Sequence, residues 1–327
     1  MGLFKNNRVR DVLAVIGAVA VIVLLIQAVS NQVGAEELKS AEEQGLQSSQ
    51  SARDTVKVLE GYTIRAFKVP EKMDFAGESV PLEDADVYKR MDRELLVNGY
   101  WQSNGLLMFK RAREFFPVIE PILAEMGIPD DFKYLAIAES NLLNAVSPAG
   151  AKGVWQFMPA TGKELGLEVN ANVDERYNLK KSTRAAAVYL LKRKQELGSW
   201  TLAAASYNAG KTGITRQLKR QEVDDYYDLL LNPETSRYIF RILAIKEVME
   251  HPQKYGFVFD ESDLYQPIPT YSVEVDTAIT DMPAFARRYG INYKTLKIHN
   301  PWLREAHLNN KSRKPYTIDI PEKGYYR

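Results

Sequence analysis

Apolar and polar positions follow several rhythms along this chain. Val12 to Val29, VLAVIGAVAVIVLLIQAV, is apolar except for Gln27. At ~1.5 Å per residue a helix of that length nearly crosses a ~30 Å hydrocarbon core. From Asn31 to about Arg53 the chain turns polar and rich in Glu, Gln and Ser, the composition of a tether. Thr55 to Phe75 carries the β-branched residues Val56, Val58, Thr63, Ile64 and Val69, which predict a short strand or two. A helical rhythm begins near Asp84. In ADVYKRMDRELLVNGY the residues Val87, Met91, Leu95 and Leu96 share one side, and Asn98-Gly99 breaks the pattern. LLMFKRAREFF and PVIEPILAEMG read as two further helices, separated near Pro117 and closed by Gly127.

Past Pro129, which suits a first helical turn, Asp130 and Asp131 sit where the positive end of a helix would be. Phe132, Leu135, Ala136 and Glu139 then fall three or four residues apart. Thr161 to Leu167 predicts a short helix behind Pro159, and Ser182 to Leu197 a longer one ended by Gly198. SWTLAAASYNAGKTGI gives an Ala-rich, closely packing helix that stops at Tyr207-Asn208-Ala209-Gly210. Glu234 to Glu250 is the last long helix, with Tyr238, Ile242, Ile245 and Met249 on one face and Pro252 past its end. This region reads all-α. From about Val258 to Thr270 the acidic, proline-spaced DESDLYQPIPT suits a linker. Tyr271 to Pro321 then runs strand (YSVEVDT), helix (MPAFARRYG), helix (YKTLKIHNPW), strand (YTIDIP).

Composition narrows the chemistry. The 327 residues, 45% hydrophobic, leave room for two domains, and 43 basic against 42 acidic residues, net +1, give no reason to expect a nucleic-acid partner. Cysteine is absent, which removes disulfides, thiol nucleophiles and cysteine metal ligands. His251, His299 and His307 all lie late in the chain, so the central region has no histidine for a Ser-His-Asp triad or a zinc site. Carboxylates, tyrosines and amides must carry the chemistry, with neither metal nor cofactor expected. Lys5, Arg8 and Arg10 precede the apolar run and place the short head in the cytoplasm, with everything after Ser30 outside it. Residues 12–29 are therefore expected to anchor the chain in the inner membrane by a single pass. The alternative is a cleaved signal peptide with Val33-Gly34-Ala35 as its exit.

Glu139 is the candidate that stands out. A carboxyl group at the end of an apolar stripe loses hydration, its charged form is disfavoured, and its pKa rises. The polar, glycine-containing run Ser147 to Gly153 predicts an ordered loop that carries Trp155 and Gln156 back towards that carboxyl. Each signal has an ordinary counterpart. A lone Glu in an apolar helix pattern is more often a surface or salt-bridged residue. Trp155 and Gln156 also suit a core aromatic and a cap, Tyr207 and Asn208 a helix end with a packed ring, and Tyr238 a core position. Glu164, Glu168, Asp174 and Glu175 are the possible second carboxylates, and read as solvated helix and loop charges.

In order, however, ES at Glu139-Ser140, GVWQFMP at Gly153 to Pro159, SYNAG at Ser206 to Gly210 and RYIFRIL at Arg237 to Leu243 resemble the four signatures of the soluble-type lytic transglycosylase domain. Trp155 before Gln156 is most similar to the membrane-bound type D branch. The resemblance covers roughly Asp84 to Phe257. It implies a goose-lysozyme-like α-helical fold and cleavage of the β-1,4 bond between N-acetylmuramic acid and N-acetylglucosamine in peptidoglycan. It also implies Glu139 as catalytic acid and base, with Ser140, Trp155, Gln156, Tyr207, Asn208 and Tyr238 binding substrate or positioning the acid. Tyr271 to Pro321 resembles a LysM carbohydrate-binding module, although Val275-Asp276-Thr277 lacks the glycine usual before that Asp and the stretch after Trp302 is lengthened.

The expected organisation is a mainly α chain. It has a cytoplasmic tail (1–10), a transmembrane helix (11–30), a linker and N-terminal extension (31–83), a catalytic domain (84–257), a linker (258–270) and a small α/β LysM-like module (271–327). The expected partner is the glycan strand, met in the periplasm. A goose-type lysozyme hydrolase, or a peptidoglycan-binding scaffold with weak turnover, are the competing readings.

Overall fold

The computed structural model describes residues 64–326. The expected tail, the anchor at 12–29, the tether and the first part of the Thr55 to Phe75 stretch lie outside the described residues. Among those described, no helix is long and apolar enough to cross a membrane.

The first elements are two strands of two residues each, β1 (Asp74–Phe75) and β2 (Glu78–Ser79), paired antiparallel. Between Ile64 and Met73, where Val69 had suggested strand, none forms. Val69 instead packs against a hydrophobic core that also buries Phe75, Val80 and Leu82. The residues before 84, expected to be linker, thus close one side of the helical domain.

Helix α1 (Ala85–Gly99) is capped by the Asp84 carboxylate, which accepts from the Asp86 and Val87 amides at 2.8 and 2.9 Å. Helix α2 (Gln102–Glu125) corrects the prediction of two helices split near Pro117: it runs unbroken through both Pro117 and Pro121. The two prolines stand four residues apart on one exposed side, so the carbonyls they leave without helical partners meet water while Ile119, Ile122 and Leu123 stay buried.

Helix α3 (Phe132–Ser140) follows, then the short α4 (Pro159–Glu164), α5 (Leu179–Leu197) and α6 (Trp200–Ala209). Ala203, Ala204 and Ala205 of α6 are fully buried, small enough to let it approach α5 closely. Gly210, at φ 74°, turns the chain into α7 (Lys211–Gln221), which the sequence reading did not anticipate. In α7 only Ile214 is buried, too narrow an apolar signal to stand out. Helix α8 (Pro233–Glu250) is the central element, packed against α1, α3 and α6.

Residues 258–270 are not a free tether. Phe259 packs on Phe109 with ring centroids 4.8 Å apart and the rings tilted by 41°, and Leu264 packs on the same core. Beyond them β3 (Thr270–Val275) and β4 (Tyr316–Pro321) pair antiparallel, Thr270 opposite Pro321 and Val275 opposite Tyr316, around α9 (Met282–Arg288) and α10 (Tyr293–His299). This βααβ unit has its own core, built on Met282, Leu296, Trp302, Leu303, Ile318 and Ile320. Val173 and Tyr177 from the helical domain enter it.

Candidate active site

Helix α3 is apolar on nearly every side, burying Phe132, Tyr134, Leu135, Ala136 and Ile137, because it runs through the core against α8. Asp131 stands at its N-terminal end, as expected, but makes no side-chain capping bond. Its carboxylate reaches sideways to the Ala76 amide (2.7 Å) and the Lys246 ammonium (2.8 Å), tying β1, α3 and α8 together. The helix ends where Asn141 and Leu142 take positive φ, 52° and 58°, in succession. That reversal leaves Glu139 at the edge of the core, enclosed on most sides yet still partly open to solvent.

Burial is the main influence on the Glu139 carboxyl and raises its pKa to about 7; a hydrogen bond from the Tyr238 hydroxyl and the positive charge of Arg241 act to lower it, and Glu234 to raise it. Tyr238 lies on α8, almost completely buried, with its hydroxyl donating to Glu139 Oε1. Burial, the Glu139 charge and the bond to it keep that phenol well above its ordinary pKa, so it stays a donor. Arg237, one residue earlier, donates through Nε to the buried Glu94 of α1 at 2.7 Å, which fixes the start of α8.

The loop after α3 is ordered, as its composition predicted. Ser147 closes a tight turn with Ala151, the Lys152 amide donates to Phe157 O (3.1 Å), and the Gly153 amide donates to Ala145 O (3.1 Å). Gly153, at φ 82°, has no room for a side chain: a Cβ there would lie 2.0 Å from the Arg176 carbonyl oxygen. Gln156 is held at φ 48°, a strained conformation for a residue with a side chain. Its amide nitrogen donates to Ala145 O (3.1 Å) and Gly153 O (2.8 Å).

Two side chains fasten this loop beside the carboxyl. Ser140 Oγ donates to Val154 O at 2.7 Å, and Tyr207 OH, from α6, donates to Trp155 O at 2.7 Å. The Glu139 charge is felt at Tyr207 as well as at Tyr238. Asn208 turns towards the start of α8, where its oxygen accepts from Thr235 Oγ1 (2.9 Å) and its nitrogen lies 3.5 Å from Glu234 Oε1.

The structure therefore gathers Glu139, Ser140, Gln156, Tyr207 and Tyr238 into one place, with Asn208 beside Glu234. Trp155 is the correction. Expected to wall the cleft, its side chain is fully buried in the core with Nε1 donating to Thr183 Oγ1 at 2.9 Å, and only its carbonyl serves the site. The expected solvated carboxylates also need revision. Asp174 and Glu175 are 3% and 2% exposed. Asp174 is bound by Arg176, and Glu175 by Lys181 and the Glu168 amide. They are committed to holding chain segments together.

Sequence reasoning missed Glu234, Arg241 and Arg176. Arg241 had a readable signal, standing three residues after Tyr238 on the same helix side. Glu234 had the same signal, four residues before Tyr238 on that helix, whereas Arg176 had none, because its role depends on contacts across the fold. Among the described residues no group of three or more His, Asp or Glu side chains is arranged to hold a metal ion. The arrangement supplies one protonatable carboxyl at a partly open, largely dry position, with fixed hydroxyl and amide groups around it.

Two family models match the chain. Residues 117–230 match the transglycosylase SLT domain, and residues 271–324 the soluble lytic transglycosylase C-terminal LysM-like domain. Tyr238 lies beyond the first match and joins the site through its bond to Glu139. The chain is also 27% identical over 220 residues to the membrane-bound lytic murein transglycosylase D of Escherichia coli K12, an alignment covering 65% of this chain and 47% of that protein. The protein of the same name from Escherichia coli O6:H1 matches to the same extent. The chain spans about half the length of the curated relatives it matches.

Proposed function

Taking an SLT transglycosylase domain joined to a LysM-like domain as the starting point, we propose that this protein is a peptidoglycan lytic transglycosylase. It cleaves the bond from N-acetylmuramic acid to N-acetylglucosamine without consuming water. The observation that carries the proposal is the carboxyl of Glu139, buried enough to hold its proton to about pH 7 and oriented by Tyr238. Glycosidases ordinarily need two carboxyl groups, one acid and one nucleophile or base. A substrate that supplies its own nucleophile needs one.

In that reaction Glu139 gives its proton to the departing glycosidic oxygen as the C1–O4 bond breaks. The muramyl N-acetyl oxygen stabilises the positive charge developing at C1. The C6 hydroxyl of the same sugar then closes on C1 and returns its proton to Glu139, leaving a 1,6-anhydro ring. A pKa near the working pH suits both transfers. Ser140, Gln156 and Tyr207 keep the loop and the acid in register, and Tyr238 holds the carboxyl. Asn208 is the amide set to meet the glycan. The protein is further proposed to face the periplasm, anchored in the inner membrane through residues 12–29. The apolar run supports this, and the relatives' name describes them as membrane-bound.

Mass spectrometry of sacculi digested with the purified protein tests the chemistry. Muramyl ends one water lighter than reducing ends are expected, and reducing ends alone would establish a hydrolase instead. Glu139→Gln is expected to retain glycan binding while releasing at least ~100-fold less product. Alkaline extraction of membranes combined with N-terminal sequencing tests the anchor. An intact N-terminus in the membrane fraction is expected, and a chain starting near Ala35 would show cleavage.

A further inference from the structure

The stretch after Trp302, longer than a compact βααβ unit requires, is the part of the C-terminal unit that meets the helical domain. Trp302 O accepts from the Asp174 amide, and the Arg304 amide donates to Asn172 O, both at 2.9 Å, with Val173 bridged to Leu303 between them. The Asn172 side chain clamps the same stretch, donating to His307 O and accepting from the Asn309 amide, each at 2.8 Å. Nearby, Glu168 accepts from Lys314 Nζ (2.7 Å) and Tyr316 OH (2.9 Å). Val173 and Tyr177 are buried in the core of the C-terminal unit.

The segment held in this way grips the active-site loop on its other side. Arg176 is 3% exposed. Its guanidinium is braced on Asp174 at 2.7 and 2.8 Å and donates through one nitrogen to Gly150 O (3.2 Å) and Phe157 O (3.0 Å). Its own carbonyl fills the space where a side chain on Gly153 would lie. The loop between those points offers Val154 O to Ser140 and Trp155 O to Tyr207. Main-chain and buried side-chain contacts thus run without a gap from Leu303 to the neighbour of Glu139.

We propose that the C-terminal unit is a fixed brace for the active-site loop, and that Arg176 is the positioning residue through which it acts. A module that only concentrated the enzyme on its polymer would work equally well on a flexible linker. This one has given up the stretch after Trp302 and the linker residues Phe259 and Leu264 to contacts with the helical domain. The acid at Glu139 depends on exclusion of water, and a loop free to lift at Gly153 to Phe157 would hydrate it and lower its proton affinity. Contiguity sets the route, and coupling is what an experiment must measure.

The test uses the full-length chain with Asn172→Ala and Tyr316→Phe combined. This removes three side-chain hydrogen bonds across the junction without altering any residue beside Glu139. Amide exchange in residues 145–157 is expected to accelerate by about tenfold while α8 stays protected. With peptidoglycan, kcat is expected to fall by about tenfold at nearly constant KM, and the alkaline limb of the pH profile to move to lower pH. Arg176→Ala should reproduce this pattern, and Arg176→Lys recover part of it. Unchanged loop exchange with an unchanged pH profile would overturn the brace, as would a loss confined to KM for polymeric glycan. The activity readouts rest on the transglycosylase reading. The exchange readout does not, so it decides the brace even if the products prove hydrolytic.

Discussion

At the scale of single residues the protein turns on the free energy of one proton. In the proposed reaction Glu139 acts in its acid form, so activity is expected to fall as pH rises through about 7. Tyr238→Phe removes a bond that favours the ionised carboxylate. The alkaline limb should therefore move to higher pH while turnover drops by ~10-fold for want of orientation; a limb that stays in place would show that the bond does not act on the acid. Glu234→Gln removes a charge that disfavours ionisation, and the limb should move to lower pH with turnover largely kept. A collapse of turnover in that variant would make Glu234 the second carboxylate of a hydrolase. Glu139 also weighs on stability. Its folded pKa, about 7, exceeds the ~4.3 of an unfolded chain, so folding is penalised progressively as pH climbs between those values and fully above the higher one. Glu139→Gln escapes the penalty. It should be more stable than the parent at pH 8 by up to roughly 3 kcal/mol and no more stable at pH 4. Thermal unfolding at the two pH values measures this, and equal stability at pH 8 would mean the carboxyl is hydrated.

At the scale of elements, the helices that carry the site are terminated by partners far away in sequence. The start of α6, which presents Tyr207 and Asn208, is capped twice. Ser199 accepts from the Leu202 amide at 3.0 Å, and Glu78 of β2 accepts from the Trp200 and Thr201 amides at 2.6 and 2.8 Å, with Lys194 beside it. Burial opposes the Glu78 charge, but those bonds prevail and hold its carboxyl below the usual range. Its contribution is therefore present at neutral pH and disappears as pH falls through its folded value, below about 4.5. Glu78→Gln is expected to cost about 1–2 kcal/mol at pH 7 and progressively less as pH falls through the acid range, measured by denaturant unfolding. Ser199 was readable as a local cap. Glu78 was not, because the hairpin bearing it lies about 120 residues upstream. The same limit explains α2: proline is a local stop signal, and only the solvent side onto which Pro117 and Pro121 fall lets the helix continue.

For the whole molecule, the segment from Val169 to Leu179 forms a wall between two hydrophobic cores: its ends pack on the helical core, while Val173 and Tyr177 are buried in the C-terminal one. Because that wall is stitched by main-chain bonds to the stretch after Trp302, the helical domain and the C-terminal unit are expected to unfold together. Calorimetry should show one transition for residues 64–326, and two resolved transitions would separate them. The signatures around Glu139, Gln156, Tyr207 and Tyr238 and the βααβ pattern were legible because each depends on residues close in sequence. The boundaries were not. The helical core begins with residues before 84, since Phe75, Val80 and Leu82 complete it, and the predicted linker at 258–270 is folded onto it.

The sequence by itself determined which side chains are able to do chemistry and the periodicity that makes helices of the segments bearing them. With no cysteine and no histidine in the central region, an acid such as Glu139 was the group left to act, and its place on an apolar stripe already implied a raised pKa. Only the tertiary structure decided which groups face that acid. It buried Trp155, turned Asp174 and Glu175 inward, brought Tyr238, Arg241 and Glu234 within electrostatic reach of Glu139, and ran Arg176 between the C-terminal unit and the active-site loop. The physical reason is range: helical spacing and turn chemistry act over a few residues, whereas burial and charge are set by neighbours that the chain brings together from a hundred or more positions away.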